Sequence, residues 1–252
     1  IIDEFAEAGV DTSQVVFSDD MITPLASVLV NRLTGSRTII TRKMQTPPSL
    51  TYEQELKLDD LAERLIASEE PVTILIDGHE AEISEYLIKK LPNARVVMDG
   101  GSLRASNIKL AAWTDYFVVS EHFARDYMSY RSLSTEAEIK AALIELNKIC
   151  RGEAFITLGE KGCAFLKSGM LQIVPSWLCN AVDTTGAGDV FHGAFTYGVH
   201  YSWHIDNIIL FASLTAAISI EKKGVRESMP DLAVVHHSLN SYERNLTQYF
   251  EE

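Results

Sequence analysis

Short apolar runs alternate with longer amphipathic stretches through the middle of the chain. Clusters of β-branched and aromatic residues predict buried strands over residues 72–77, 95–99, 116–120 and 154–158. The stretches between them carry apolar residues at helical spacing and predict helices over residues 80–91, 107–112 and 136–150. This alternation is typical of a parallel sheet with helices on both faces, so we expect an α/β fold.

The pattern changes after this central region. An antiparallel pair of strands is predicted over residues 162–167 and 171–174, and a glycine-rich turn follows at 184–188. Further helices are predicted from that turn to about Tyr201, over residues 205–221, and from about Leu232.

The first part of the chain predicts a smaller β element. Two β-rich runs, 25–31 and 37–42, flank turn residues and predict a hairpin, which we interpret as a lid on the larger sheet, and a helix follows over 52–67. The opening residues predict the last turns of a helix that Gly9 ends, and then a strand beginning near Val15. Because the chain starts inside an element and without Met, we expect an N-terminal part of the fold to be missing. We assign residues 1–252 to one domain, with 15–45 contributing to the lid.

Charge and cysteine content narrow the class of protein. Lys and Arg number 22 against 35 Asp and Glu, which gives a formal net charge of −13 and disfavours nucleic acid or an anionic membrane as a partner. No apolar run approaches the roughly 18 residues of a membrane-spanning helix. The 3 cysteines are widely spaced and form no CxxC pair, which favours a reducing cytoplasm over a disulfide scaffold or a zinc site.

The turn that contains Gly186, Ala187 and Gly188 carries the strongest chemical signal. Small residues where a loop becomes a helix leave unpaired N–H groups at the positive end of the helix dipole, which is an anion-binding arrangement. Asp189 falls in the first helical turn, where its carboxylate is placed to accept a proton from a hydroxyl that attacks a phosphate. The alternative is structural: Asp183 or Asp189 caps the helix and the glycines only permit a tight turn.

Two common nucleotide-binding motifs are missing from the sequence. The chain contains neither the GxxxxGK[ST] string of P-loop enzymes nor a GxGxxG that follows a strand. P-loop enzymes are therefore excluded, and a dinucleotide-dependent dehydrogenase is disfavoured because it would also need an acidic ribose-binding residue about 20 positions further on.

Residues 183–195, DTTGAGDVFHGAF, resemble the C-terminal signature of the ribokinase-like, or PfkB, family of sugar kinases. Residues 155–162, FITLGEKG, resemble the nucleotide-side strand and turn of the same family. The resemblance implies a ribokinase-like, Rossmann-type sheet flanked by helices, with Thr157 and Gly159 near the ATP phosphates and Gly162 at the turn. Taken alone, this second segment also suits an ordinary turn between strands.

The resemblance extends to the lid and to cation sites. The hairpin with Asn31, Gly35 and Arg37 looks like the family's lid, through which members often pair, so a homodimer is expected. Family members place a monovalent cation, here expected to be K⁺, at positions that match Asp183, Thr185, Gly224 and Ser228, with carbonyls near Ser219 and Lys222 completing the site. Gly224 also suits a helix C-cap.

The chain departs from the family pattern at its magnesium motif. Many members carry Asn-x-x-Glu after the strand that here ends in VVS, and that Glu organises the water shell of Mg²⁺. This chain has Ser120-Glu121-His122-Phe123, so Glu121 is either a substitute or a solvent-facing residue at a helix start.

Three further polar residues lie near predicted strand ends. Asp99 and Arg104 follow a buried strand, at the edge where α/β proteins bind ligands, and are candidates for contacts with sugar or phosphate, or for a turn closed by the Asp side chain. Asp77 has the same ambiguity. His192 is expected to be a packed or surface histidine rather than a catalyst.

The resemblance therefore implies an ATP- and Mg²⁺-dependent sugar kinase. Asp189 would be the base toward a hydroxymethyl group of a small, ketohexose-like sugar, as in ketohexokinases and sulfofructose kinases. Two alternatives stay open: a nucleoside kinase of the same fold, and a non-catalytic sugar or nucleotide sensor, which the altered Asn-x-x-Glu position favours and Asp189 opposes.

Overall fold

The computed structural model describes residues 1–17, 25–30, 37–41 and 49–239, and the chain divides into two compact units, Ile1–Asp60 and Leu61–Glu252. In the first unit, strands β1 (Ala26–Val30) and β2 (Arg37–Thr41) pair antiparallel, with Val28 opposite Ile39. The small β element is thus confirmed. The predicted hairpin turn, with Asn31 and Gly35, lies outside the described residues.

The start of the chain follows the prediction only in part. Helix α1 (Ile2–Glu7) ends before Gly9, whose φ of 76° is the left-handed conformation expected of a stop signal. The predicted strand near Val15 is wrong for the residues described there. Oδ1 of Asp11 accepts from the N–H of Ser13, and the N–H of Val15 donates to the carbonyl of Thr12, so side-chain and backbone bonds close turns instead of pairing a strand.

Helix α2 (Tyr52–Ala67) begins in the first unit and ends in the second. A reciprocal cap fixes its start: the Thr51 hydroxyl accepts from the N–H of Gln54 at 3.3 Å, and the Gln54 side chain accepts from the N–H of Thr51 at 2.9 Å.

The second unit contains a six-stranded sheet in which every strand pairs with the next strand along the chain. Its strands are β3 (Thr73–Ile76), β4 (Arg95–Gly100), β5 (Tyr116–Ser120), β6 (Glu153–Thr157), β7 (Cys163–Lys167) and β8 (Met170–Val174). Strands β3 to β6 are parallel, and β7 and β8 continue the sheet antiparallel. These strands match the predicted runs to within two residues at each end.

Helices connect and cover the sheet. They are α3 (Ala81–Lys90), α4 (Ala105–Ala111), α5 (Glu121–Tyr127), α6 (Glu136–Asn147), α7 (Ala187–His200) and α8 (Ile205–Ser219), and residues 232–239 are also helical. The α/β fold is therefore confirmed. Among the helices in the described ranges, none has the length and apolar character needed to cross a membrane.

The strands bury alternate residues on opposite faces of the sheet, as the pleat requires. Val96 and Met98 of β4 pack into a core that includes residues of α4, α5 and α6. Val97, between them, belongs to a second core with Phe191 and Phe195 of α7 and residues of α8. Asp99 follows the same alternation as Val97, so β4 directs it toward the face that carries α7.

The parallel strands bring their carboxyl ends to one edge of the sheet. Thr157 of β6 lies in register with Ser120 of β5, and Val119 with Gly100 of β4. The Ser120 hydroxyl caps α5 by accepting from the N–H of Phe123 and also donates to the carbonyl of Gly101 at 2.9 Å. The candidate site lies at this edge.

Candidate functional site

The glycine-rich turn places Gly186 as the N-cap of α7, with a left-handed φ of 77°. The N–H of Ala187 donates to the Thr184 carbonyl at 3.4 Å, and that of Val190 donates to the Gly186 carbonyl at 2.9 Å. In the part of the chain that the structure describes, the N–H groups of Gly188 and Asp189 have no acceptor. A β-carbon on Gly188 would meet no atom within 4 Å apart from its chain neighbours and the nearby backbone of α7, so no other part of the described protein covers this glycine on its Cβ side. The turn therefore offers two free donors to an anion.

Asp189, the residue after this turn, lines a cleft of about 430 Å³. The cleft is lined by four carboxylates, those of Asp77, Glu80, Asp99 and Asp189, and by Leu75, Ile76, Ser84 and His192. The structure thus brings together the predicted base and Asp99. Carboxylates and hydroxyls are hydrogen-bonding partners for the hydroxyl groups of a neutral polyol.

The surroundings of Asp189 raise its pKa above the ordinary value of an aspartate. The largest cause is desolvation by the protein atoms around the carboxylate, and the negative charge of Asp99 adds to it. His192 acts in the opposite direction and lowers this pKa, while Asp77 raises it further. A base with a raised pKa holds a proton more strongly once it has accepted one, which suits proton transfer from a hydroxyl.

His192 and Asp99 form a contact that the sequence analysis did not anticipate. Nδ1 of His192 lies 3.3 Å from Oδ2 of Asp99, and the imidazole is buried, as predicted for a packed histidine. The spacing indicates only that His192 lies on the same face of the helix as Asp189, because it follows Asp189 by three positions. The contact with Asp99 also depends on the register of β4 against α7, which cannot be read from the sequence.

Other predicted residues at this edge have different positions. Arg104 is the N-cap residue of α4 and is not among the residues that line the cleft. Oδ1 of Asp77 accepts from the N–H of His79 at 2.8 Å, so this carboxylate closes a turn and also lines the cleft. Both of the readings considered for Asp77 therefore have support in its contacts.

The predicted nucleotide-side residues follow β6 in a short turn. The Thr157 hydroxyl donates to the Val119 carbonyl at 3.4 Å, which fixes Thr157 against β5. Gly159 has a φ of 59° and open space at its β-carbon position. At Gly162, with a φ of 101°, a β-carbon would lie 1.9 Å from the Val174 carbonyl oxygen, so the turn into β7 requires glycine there.

The proposed cation-binding residues belong to two loops that meet beside α7. Oδ1 of Asp183 accepts from the N–H of Thr185 at 3.0 Å, and Oδ2 lies 3.4 Å from the N–H of Gly224, which donates to it. Ser228 is buried and its hydroxyl donates to the Val225 carbonyl at 3.2 Å. Carboxylate, carbonyl and hydroxyl oxygens suit a hard cation, so the donor types fit the expected ion.

The segment that corresponds to the family's magnesium motif has Ser120 and Phe123 in place of its Asn and Glu. Glu121 is the first residue of α5 and is only partly exposed. No group of three or more metal-ligating side chains comes together within the described ranges. Mg²⁺ is commonly held by one or two carboxylates together with the phosphates of its nucleotide, and such a site needs no preformed protein cluster.

Comparisons with known proteins agree with this architecture. A family model described as pfkB family carbohydrate kinase matches residues 1–232. A ribokinase of Lactococcus lactis is 29% identical over 189 residues, which cover 75% of this chain and 60% of that protein. The chain thus spans less than two thirds of this relative's length.

Two solved structures are similar in fold. The ribokinase of Giardia lamblia has a TM-score of 0.79 at 20% identity, covering 96% of this chain and 78% of that one. An Arabidopsis thaliana ribokinase complexed with ribose and ATP has a TM-score of 0.67 at 20% identity, covering 85% and 68% of the two chains. The ribokinase-like fold is thereby confirmed. Because the family match extends over most of its length, the chain belongs to the pfkB family of carbohydrate kinases.

Proposed function

We propose that this protein is an ATP-dependent kinase that phosphorylates a hydroxymethyl group of a small sugar. One observation carries the proposal: Asp189 lines the cleft and directly follows Gly188 in a turn where, among the described residues, the N–H groups of both have no acceptor. A base beside an anion-binding turn is the arrangement that phosphoryl transfer to a hydroxyl requires.

The reaction is an in-line displacement at the γ-phosphorus of ATP. Asp189 accepts the proton of the sugar hydroxyl as its oxygen bonds to phosphorus, the bond to the β,γ-bridging oxygen breaks, and ADP leaves with that electron pair. The N–H groups of the Gly186-Ala187-Gly188 turn stabilise charge on the transferring phosphoryl group. Of these, the N–H of Gly188 is the better placed, since that of Ala187 already faces the Thr184 carbonyl.

ATP would lie along the edge of the sheet from β6 toward α7. Thr157 and Gly159 follow the carboxyl end of β6, and the open space at Gly159 allows close approach of a phosphate to the backbone. Mg²⁺ would arrive with ATP and neutralise phosphate charge. A K⁺ ion held by Asp183, Thr185, Gly224 and Ser228 would fix the two loops that carry the anion-binding turn.

The charge of the cleft favours a neutral acceptor. Four carboxylates line it, so a sugar that already carries a phosphate would be repelled, whereas free hydroxyl groups find acceptors. Among neutral acceptors, we propose a ketohexose-like sugar. The similarity to ribokinases supports ribose as the second candidate acceptor, and a nucleoside is the third.

ADP release with Mg-ATP and KCl tests this function across ketohexoses, aldohexoses, ribose, sugar phosphates and nucleosides. Asp189→Asn is expected to lose at least about a hundredfold in kcat, which is the lower end of general-base contributions, while it still binds ATP. Asp206→Asn is the matched control, because Asp206 pairs with Lys167 on an exposed surface away from the cleft. Near-native turnover in Asp189→Asn would contradict the base assignment.

A non-catalytic sensor of sugar or nucleotide is a second candidate, favoured by one observation. Ser120 and Phe123 stand where many family members carry the Asn and Glu of Asn-x-x-Glu. Binding of both ATP and a sugar by calorimetry, with no ADP released from any acceptor, would support the sensor over the kinase.

We further propose that β1 and β2 pair two copies of the chain. Leu25, Val28, Leu29 and Ile40 are exposed in the small unit, and Leu29 leaves 59% of its surface open. Apolar residues at this density on a two-stranded sheet favour a partner surface. Sedimentation at micromolar concentration is expected to show a dimer that Leu29→Lys converts to monomer, and a monomeric parent protein would contradict the pairing.

A further inference from the structure

The imidazole of His192 meets oxygen acceptors on both of its nitrogens. Nδ1 lies 2.6 Å from the carbonyl oxygen of Gly188, one turn earlier in α7, and 3.3 Å from Oδ2 of Asp99. Nε2 lies 3.1 Å from the carbonyl oxygen of Val118 in β5. The residue is 3% exposed, so water does not replace any of these partners.

These partners determine how many protons the ring must carry. A carbonyl oxygen accepts hydrogen bonds and cannot donate them, and a neutral imidazole has one donor nitrogen and one acceptor nitrogen. In either neutral tautomer, a nitrogen lone pair would face a carbonyl oxygen, at 2.6 Å from Nδ1 or at 3.1 Å from Nε2, where two acceptors repel each other. Proton donation by Asp99 to Nδ1 would leave the same lone pair against the Gly188 carbonyl. Only the doubly protonated ring directs an N–H group at an acceptor from both nitrogens, with the Nδ1 proton facing the Gly188 carbonyl and the Asp99 carboxylate together.

We infer that His192 is a positioning residue that acts as a buried imidazolium, holding the Gly188 peptide and the Asp99 carboxylate in place beside the base Asp189. The inference deepens the proposed kinase function and rests on it for the role of Asp189. The imidazolium of His192 would supply a positive charge that links α7, β4 and β5 at the candidate site.

The charges that face His192 support this assignment. From β4, the ring meets Asp99. On its own helix, Asp189 lies three residues earlier, and Asp77 follows β3 on the same cleft. Among the residues that line the cleft, His192 is the one basic side chain against four carboxylates. Its charge lowers the pKa of Asp189, against the desolvation and the Asp99 charge that raise it.

The protonation state can be measured without any assay of turnover. ¹⁵N spectra of the histidine-labelled full-length protein at pH 7.5 are expected to show one imidazole with both nitrogens protonated. That signal is assigned by its loss in His192→Gln, or through contacts with the neighbouring Phe191 ring if the variant does not fold. A neutral ring at His192, in either tautomer, would overturn the inference, and it would do so whether or not the protein proves to be a kinase.

Kinetics then test the positioning role. His192→Asn and His192→Gln are expected to lower kcat by about tenfold to a hundredfold, the range for residues that orient a functional group, with little change in KM for ATP. The acidic limb of the kcat/KM profile is expected to move to higher pH, because loss of the cation raises the pKa of Asp189. His204→Gln is the control, since His204 is exposed beside Asp206. An unmoved acidic limb would overturn the role even if kcat fell.

Discussion

A β-carbon on Gly186 would lie 2.4 Å from Cγ1 of Val225, so the turn before α7 packs directly against the loop that follows α8. The same glycine has a φ of 77°, which side chains other than glycine rarely adopt. The position of the turn before α7 therefore depends on Gly186, where a larger residue would have neither room nor a suitable backbone conformation.

Gly186→Ala is expected to reduce the free energy of unfolding by about 1–3 kcal/mol, because it adds backbone strain and overpacking at one site. Urea denaturation measures the loss. Gly193→Ala is the control: Gly193 lies within α7, its β-carbon position is open, and alanine in a helix is more favourable than glycine by up to about 1 kcal/mol. Equal stabilities of the two variants would contradict the packing argument.

Gly188→Ala is expected to separate activity from stability. Its β-carbon would meet no protein atom within 4 Å, and alanine suits the first turn of a helix, so the fold should be unharmed. The added methyl group would occupy space beside the free N–H donors and lower kcat by about tenfold or more. ADP release and a melting curve, measured on the same sample, separate an effect on activity from an effect on stability. Loss of stability along with activity would count against a direct role of Gly188 in binding the phosphoryl group.

Asp189→Asn is expected to raise the melting temperature at pH 7.5. A folded-state pKa above the ordinary value means that ionised Asp189 opposes folding at high pH. The difference in melting temperature between variant and parent should shrink as the pH falls through that raised pKa, because residue 189 is then neutral in the parent protein as well as in the variant. Thermal unfolding of the parent and the variant at pH 7.5 and pH 4 tests the sign, and a lower melting temperature at pH 7.5 would contradict it.

Asp183→Ala is expected to weaken both the loop contact and the response to potassium. The N–H groups of Thr185 and Gly224 would lose their carboxylate partner, at a cost of about 1–3 kcal/mol. If Asp183 also holds K⁺, replacing KCl by tetramethylammonium chloride should lower the activity of the parent protein and leave that of the variant unchanged. A variant that keeps the full potassium response would remove Asp183 from the cation site.

The alternation of strands and helices was predictable because it depends on local periodicity. The runs 95–99 and 116–120 coincide with β4 and β5 almost residue for residue, since the three central residues of each run are apolar and fully buried. The prediction of a strand near Val15 is wrong for the described residues, because Oδ1 of Asp11 accepts from the N–H of Ser13 and favours a turn there. The periodicity of a segment indicates a preference for strand or helix, and whether a strand forms depends on a partner strand with which it can pair.

The candidate site was predictable only where its chemistry is contiguous in the chain. Gly186 to Asp189 follow one another, so their role at a helix start can be read directly. The contact between Asp99 and His192 joins residues from different elements, and it depends on which strand lies under α7. The absence of Arg104 from the cleft has the same origin, because the path of the chain into α4 is a tertiary property.

The sequential order of the sheet has a consequence for how the protein is made. Since each described strand from β3 to β8 pairs with its neighbour in the chain, these six strands can pair one after another as the polypeptide leaves the ribosome. Helix α7 is synthesised after all of these strands. The turn at Gly186 to Asp189 is thus added to strands that have already been synthesised, and α8 and residues 232–239 follow it. A nascent chain that has reached only the end of β8 carries the turn at Gly159 but not Asp189.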